Sequence, residues 1–467
     1  MNQKQIASKS LIYLIGNLSS KIISAVLIPI YAFFVSTADL GTFDYSQSLM
    51  NVLVPVLYIA LWEGVLKFVL TSEESDRPKI INATVVFCLT TSVVYLLICI
   101  VGINLSPDRR IWVFTWGMII AHGMAQIWQY ACRALGHTHH YLIVSILSAV
   151  VLLSSTVLFV CLIGMGLIGL YMSYILGQLT LFLGIEFKIH IVKTISFTKF
   201  DVILFKRIAK FSIPLMFNTL SMWLVPLLMR TIIINQLGAD ANGLYSFANK
   251  FNIVVNLLGS VVSMALVEEA IIASKDGKIS KEYGHAVAQI YIKFEQLASI
   301  AIIAIAIAYT FLSSTEYYVT IQYFSWFLWA SLISILGSYV GTVFQSINIT
   351  KYQFTTTLLG GIAGIVFAYL LVPCMSLWGI VVGQMVSCIV TSLSRYVIAT
   401  KKSDFRIDWI PVLTNAIPVL TAALLATLCN KIYINIMFFL GFAMAIIYTN
   451  RNIVNRLLGA MKIHKKN

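Results

Sequence analysis

Thr37-Ala38-Asp39-Leu40-Gly41-Thr42-Phe43-Asp44-Tyr45 is echoed later in the chain by Gly238-Ala239-Asp240-Ala241-Asn242-Gly243-Leu244-Tyr245-Ser246-Phe247. Gly41 answers Gly243, Phe43 answers Tyr245 and Tyr45 answers Phe247. A second echo links Gly136-His137-Thr138 to Asn348-Ile349-Thr350, and a third links Gly166-Leu167-Ile168-Gly169 to Gly379-Ile380-Val381-Val382-Gly383. Each copy lies 202–213 residues from its partner, with six apolar stretches between. An even number of crossings brings both halves into a membrane in the same sense. The pattern therefore predicts parallel repeats about an axis along the membrane normal, with the ligand held between them. Glycine turns are common, so the weight lies in three echoes kept in one register.

The apolar stretches lie near residues 11–34, 43–70, 80–105, 111–135, 141–164, 166–191, 208–236, 244–272, 286–312, 319–346, 353–374, 376–400, 409–429 and 432–449. Most exceed the ~20 residues needed to cross a ~30 Å hydrocarbon core. They read as helices, because an open strand leaves backbone groups unsatisfied in lipid and the stretches lack the alternation of a membrane barrel. The expected fold is an all-α polytopic membrane protein of about fourteen transmembrane helices. Residues 1–192 form one six-helix lobe, 193–207 a cytoplasmic linker, 208–402 a second six-helix lobe in a V with the first, and 403–467 an extra helix pair with a basic tail. The junctions at Gly164–Gly166 and Cys374–Ser376 are so short that their flanking helices must form hairpins, and treating either pair as one crossing lowers the count toward twelve. Leu11–Phe34 is too long for the apolar core of a cleavable signal and reads as the first crossing.

Composition agrees, with 59% hydrophobic and 11% charged residues against roughly 25% charged in soluble domains. No polar connection is long enough for a soluble catalytic domain. With the N-terminus inside, cytoplasmic ends collect Lys4, Lys9, Arg77, Lys79, Arg133, the Lys188–Lys210 cluster, Lys275, Lys278, Lys281, Lys351, Arg395, Lys401, Lys402, Arg406 and the Arg451–Lys466 tail, while outer ends keep Arg109, Arg110 and Lys431. That asymmetry is a positive-inside signal and puts both termini in the cytoplasm. It also accounts for the net charge of +14 through topology and anionic headgroups, and gives no reason to invoke nucleic acid. The seven cysteines have no metal-type spacing and read as packing residues. His137, His139 and His140 read as a solvated turn, and neither metal nor cofactor is expected.

Ionisable groups at depth are the candidates for function, since one costs ~2.5–3.5 kcal/mol at the bilayer centre and normally faces a wet cavity. Lys21 lies ten residues past Leu11, roughly 15 Å into the first crossing, too deep to snorkel easily. Arg230 and Lys250 each lie six residues from the outer ends of their crossings, where a long stem can also reach the headgroups. Glu63 and Lys67 are four apart on one helix face, where they can serve a substrate or simply neutralise each other. Lys293, seven residues into its crossing, reads as snorkelling, with Glu295 on a different face. Asn252 and Asn256 share a face and suit a hydroxyl-rich ligand, although many membrane amides only join helices. The aromatic residues around Tyr323 and Trp326 read mainly as interface anchors, with sugar stacking as the alternative. Pro29, Pro55, Pro214 and Pro226 should kink their helices or free carbonyls, or be tolerated by neighbours.

Leu14-Ile15-Gly16-Asn17 through Pro29-Ile30-Tyr31, Leu40-Gly41-Thr42-Phe43, Arg133-Ala134-Leu135-Gly136, Phe211-Ser212-Ile213-Pro214 and the Gly243–Tyr245 turn resemble bacterial polysaccharide-unit translocases of the multidrug/oligosaccharidyl-lipid/polysaccharide exporter superfamily. The motifs are loose and span crossings one to twelve. The resemblance implies an O-antigen or capsule flippase, of the Wzx type, in the bacterial inner membrane. Its substrate would be undecaprenyl-pyrophosphate-linked oligosaccharide, and its further partners a polysaccharide polymerase and chain-length proteins. It also implies a cavity whose cations come from the first, second, seventh and eighth helices, where Lys21, Lys67, Arg230 and Lys250 stand. The substrate-binding set is then Lys21, Arg230, Lys250, Lys67, Glu63, Asn252 and Asn256, with Glu63 and Asp44 as ion-coupling candidates. A cation-coupled multidrug exporter shares the scaffold, but its cationic cargo would favour carboxylates in the cavity. A membrane-embedded polymerase or glycosyltransferase would need a large outer loop, and the outer loops here are tiny.

Replacing Lys21 with Ala is expected to abolish complementation of a flippase-null strain at normal membrane levels. Unchanged polysaccharide display would refute its role.

Overall fold

The computed structural model describes residues 25–104, 108–275, 278–279, 281–347, 349–429 and 431–450. These are almost entirely helical, and the chain is an all-α polytopic membrane protein. In order the helices are α1 (Ala25–Phe34), α2 (Thr37–Leu57), α3 (Leu61–Thr71), α4 (Arg77–Gly102), α5 (Arg109–Ala134), α6 (Thr138–Thr156), α7 (Gly166–Ile189), α8 (Val202–Leu237), α9 (Ala239–Lys250), α10 (Asn252–Ala273), α11 (Lys281–Ala308), α12 (Ile321–Ser346), α13 (Lys351–Met375), α14 (Leu377–Lys402), α15 (Trp409–Leu428) and α16 (Ile432–Thr449). A minimal strand pairing, Ser274–Lys275 with Lys278–Ile279, joins α10 to α11. Among the described residues ten helices are long and apolar enough to cross a membrane, or eleven with α2 and α3 as one bent span. Of the other three expected crossings, the first begins outside the described residues, the fourth is α5, which carries His122, Gln126 and Gln129, and the eighth covers the end of α9 and the 22-residue α10.

Helix starts follow side-chain capping. Asp108 accepts from the backbone N–H groups of Arg110 and Ile111 at 2.8 and 3.2 Å, and Asp201 from those of Ile203 and Leu204 at 2.9 Å each. A carboxylate there satisfies orphan donors and meets the positive end of the helix dipole.

The second crossing breaks shortly after Pro55. Ile59 and Ala60 adopt left-handed backbone angles (φ 54° and 44°) four and five residues after Pro55, and α2 and α3 meet at 51°. The widened turn closes through Ala60 N–H to Pro55 O at 2.9 Å. The Leu57 carbonyl that the break releases accepts from Tyr95 Oη at 2.6 Å, which removes the cost of an unpaired carbonyl in lipid. In contrast, α8 runs unbroken over Pro214 and Pro226 for 36 residues.

The described residues form two compact units, Met1–Ser246 and Phe247–Asn467. In the first, α8 packs on α2 and α3, and α5 on α3 and α7. Asn82 on α4 pins the connection between α7 and α8: its amide donates to the Ser196 and Lys199 carbonyls at 3.1 and 3.3 Å and accepts from Ser196 N–H at 2.7 Å. In the second unit α13 and α14 form the expected hairpin, α12 packs on α14, and α15 and α16 pack on α11. Arg395 on α14, expected at a helix end, is instead buried. It donates to Thr356 Oγ1, the Gly337 carbonyl and Thr357 Oγ1 at 3.2, 3.0 and 2.9 Å, and so ties α12, α13 and α14 together.

The turn between α13 and α14 is the single residue Ser376, at φ 50° and ψ −133°. A side chain there is strained by on the order of 1 kcal/mol or more. Ser376→Gly is therefore expected to raise the thermal midpoint of the purified protein and Ser376→Val to lower it; the reverse order would exclude strain at this hairpin.

Candidate functional site

Two turns that echo each other in sequence touch each other within the first unit. The segment opening α2 lies against the segment opening α9. A Cβ placed on Gly41 would stand 1.9 Å from the Ala239 carbonyl oxygen, and one on Gly243 would stand 1.9 Å from the Thr37 carbonyl oxygen. Gly41 and Gly243, and likewise Thr37 and Ala239, are separated by 202 residues. The contact is thus reciprocal, as across a local two-fold axis, and only glycine permits the approach. Two polar links close it: Thr37 Oγ1 donates to Asp240 Oδ1 at 2.7 Å and Asn242 Nδ2 donates to the Gly41 carbonyl at 2.6 Å.

Behind this junction stand two of the residues singled out from sequence, and they meet. Arg230 Nη2 on α8 lies 4.0 Å from Asp44 Oδ2 on α2, with side chains 16% and 5% exposed. Its Nη1 donates to Asn242 Oδ1 at 3.3 Å and to Ser246 Oγ, and the guanidinium lies 5.2 Å from the Tyr245 ring centroid. A guanidinium suits this setting because its planar fork can serve several acceptors and a ring at once. Asp44 therefore faces a fixed cation.

The other group lies toward the N-terminal end of α8. Glu63 and Lys67 share a face of α3 without forming an ion pair. Glu63 accepts from Tyr130 Oη at 3.3 Å, and the Arg133 guanidinium stands 4.9 Å from that same ring. Lys67 Nζ stands 3.9 Å from the Phe211 centroid and 5.7 Å from that of Phe68, and Arg207 lies 5.4 Å from Phe68. Phe68 and Phe211 meet edge to face at 5.8 Å. Lys67 and Arg207 are both exposed, and among the described residues neither pairs with a carboxylate. Arg207, Phe68 and Phe211 were not among the site candidates read from the sequence, although Arg207 and Phe211 are four apart and so share a helix face. From Arg207 to Arg230 is 23 residues along α8, roughly 35 Å at helical rise. The two cationic stations thus stand about one hydrocarbon thickness apart.

The second unit holds the remaining candidates. Lys250 ends α9, half-buried, just before the break at Phe251. Asn252 is 4% exposed and donates to Asn249 Oδ1 at 3.1 Å, while its own Oδ1 is buried without a partner. Asn256 is exposed, so the two amides do not share an environment. Lys21 lies outside the described residues. A pocket of about 280 Å³ in the first unit is lined by Asp39, Asp108, Arg110, Gly166 and Tyr171 among others, and none of the candidates lines it.

No protein-family model matches the sequence, and no curated protein does. Solved structures do match. A lipid II flippase, MurJ, in an inward closed conformation aligns with a TM-score of 0.69 at 10% identity, over 96% of this chain and 100% of that one. An inward-facing multidrug resistance MATE family transporter of the MOP superfamily aligns at 0.62 and 13% identity, over 82% of this chain and 97% of that one. An outward-facing MATE transporter aligns at 0.51 and 15% identity, over 84% and 96%. The chain has the fold of these transporters.

The glycine junction makes a direct prediction. Gly243→Ala must displace backbone, at about 1–3 kcal/mol for an overpacked contact. An Ala38→Cys reporter beside the junction should then react faster with a water-soluble maleimide in cells carrying Gly243→Ala. An unchanged rate would show that the turns do not depend on this contact.

Proposed function

We propose that the chain translocates undecaprenyl-pyrophosphate-linked oligosaccharide repeat units, of O-antigen or capsule, from the inner to the outer leaflet of the bacterial cytoplasmic membrane. It is a transporter and makes or breaks no covalent bond. Both termini face the cytoplasm, lobes 1–192 and 208–402 rock about the linker 193–207, and the helix pair within 403–467 lies beside the lipid tail. The observation that carries this reading is the exposed Lys67 and Arg207 pair, held over Phe68 and Phe211 and with no carboxylate partner among the described residues. A diphosphate brings closely spaced negative charges that two cations can meet together, and the rings fix the cations without neutralising them.

Movement then follows the charges. The diphosphate binds Lys67 and Arg207 at the cytoplasmic end while the Gly41 and Gly243 turns keep the outer end shut. At the far station Asp44 neutralises Arg230 and holds its place. Separation of the turns removes Asn242 from Gly41 and exposes Arg230 to the arriving phosphates, which compete with Asp44. Lys21 and Lys250, with Asn252 and Asn256 for sugar hydroxyls, line the route, and Glu63 or Asp44 takes up any coupling ion. A polymerase with its chain-length proteins would consume the product. The flippase likeness supports this reading because it extends over 96% of the chain against 82% and 84% for the two MATE structures, as expected if the extra helix pair has a counterpart there.

Likeness to MATE transporters favours a second reading, a cation-coupled multidrug exporter. The two separate in a deletion strain. Loss of surface polysaccharide restored by the wild-type gene supports the flippase, whereas altered drug resistance with normal polysaccharide supports the exporter. Lys67→Ala with Arg207→Ala should cut display roughly tenfold to hundredfold, the equivalent of one or two charge-assisted hydrogen bonds. Lys67→Arg should retain it. Full display by the double variant would remove these cations from the mechanism.

A further inference from the structure

Glu295 stands midway along α11, fourteen residues past its first residue, Lys281, or roughly 21 Å along the axis. Its side chain is on the buried face of the helix, in register with Tyr291, Ala298 and Ser299, and the residue is 2% exposed. Carboxyl oxygen Oε2 is buried without a hydrogen-bond partner, and no described residue forms an ion pair with Glu295. Across the seam on α12, the Tyr339 hydroxyl is also buried and unpartnered, and the Tyr291 phenol lies within electrostatic reach of both groups. Phe294, adjacent to Glu295, meets the Tyr339 ring edge to face at 6.0 Å.

The elements packed on α11 offer no counter-charge. α12, α15 and α16 contain no Lys, Arg, His, Asp or Glu, and bring as titratable groups Tyr323, Tyr339, Tyr433 and Tyr448. α10 brings Glu269, a carboxylate that could only oppose a second negative charge, and the short turn after α11 brings Tyr309. On α11 itself, Lys293 is two residues away, about 160° around the helix, and donates to Asn450 on the α16 side. Lys281, Glu282, Tyr283 and His285 stand two to four turns nearer the N-terminus, where His285 pairs with Asp408 at 2.6 Å. An ionised carboxylate in such a setting would cost several kcal/mol of desolvation, with no counter-charge among the described residues packed on it to offset it.

We propose that Glu295 is a proton-binding site of the second unit. Its carboxyl is held as the neutral acid while α11 is packed against α12. The O–H bond breaks only when the seam admits water, which takes the proton, and it reforms with a proton from solvent when the seam closes. That this cycle drives lipid-linked oligosaccharide movement rests on the function proposed above; the protonation state does not.

The test is infrared difference spectroscopy on the purified full chain at neutral pH, wild type against Glu295→Gln. The expected result is a protonated-acid carbonyl band in the wild type that is missing from the variant, with slow hydrogen–deuterium exchange. Failure of Glu295→Gln to remove such a band would overturn the site. A second arm measures polysaccharide display: Glu295→Gln should be made at normal levels yet lose display at least tenfold, and Glu295→Asp should keep part of it. Normal display by Glu295→Gln would overturn the coupling. If the wild-type gene restores no polysaccharide at all, the flippase reading fails while the infrared result still decides the site.

Discussion

A charge taken into a low-dielectric interior must be neutralised, surrounded by fixed dipoles or left facing water, and this constraint sorts the ionisable groups of the chain. Arg230 is met by Asp44, with Asn242 and Ser246 completing its hydrogen bonds. Arg395 has hydroxyls and a carbonyl in place of a carboxylate. Lys293 reaches an amide oxygen on Asn450. Lys67 and Arg207 are left exposed over aromatic rings, and Glu295 is buried with its Oε2 unpartnered among the described residues. Groups of the first kind hold helices together. The last two kinds are the ones to which the proposals above assign a ligand, an anion in one case and a proton in the other.

The same economy governs the backbone. Where α2 breaks, Tyr95 takes the released carbonyl, and where short 3-10 turns connect α7 to α8, Asn82 adds three hydrogen bonds. At the Gly41 and Gly243 contact, two turns approach until no side chain fits, and a hydroxyl and an amide complete the polar links.

Much of the architecture was legible because it depends on composition and period. Long apolar runs marked the helices, and one of the three glycine echoes, that of Gly41 and Gly243, marked turns that meet in space. The one-residue link at Ser376 forced the hairpin of α13 and α14. The bend after Pro55 was not legible, since Pro214 and Pro226 carry the same signal within a helix that stays whole. Depth along a crossing also says nothing about direction around it. Arg395 looked like an end residue and is enclosed by three helices, Glu295 looked unremarkable beside Lys293 and is the more buried of the two, and Glu63 turns to Tyr130 although Lys67 stands one helical turn away. Arg207 was counted among topology-setting cations because its ring partner Phe68 comes from a distant stretch of sequence.

The central claim is that the unmatched cations on α3 and α8 await a diphosphate. The most direct measurement is lipid binding by the purified protein in nanodiscs, comparing undecaprenyl pyrophosphate with neutral undecaprenol for the wild type and for Lys67→Ala with Arg207→Ala. The expected result is a strong preference for the pyrophosphate lipid that weakens with salt and disappears in the double variant. Equal binding of both lipids, or a preference that survives loss of both cations, would contradict it.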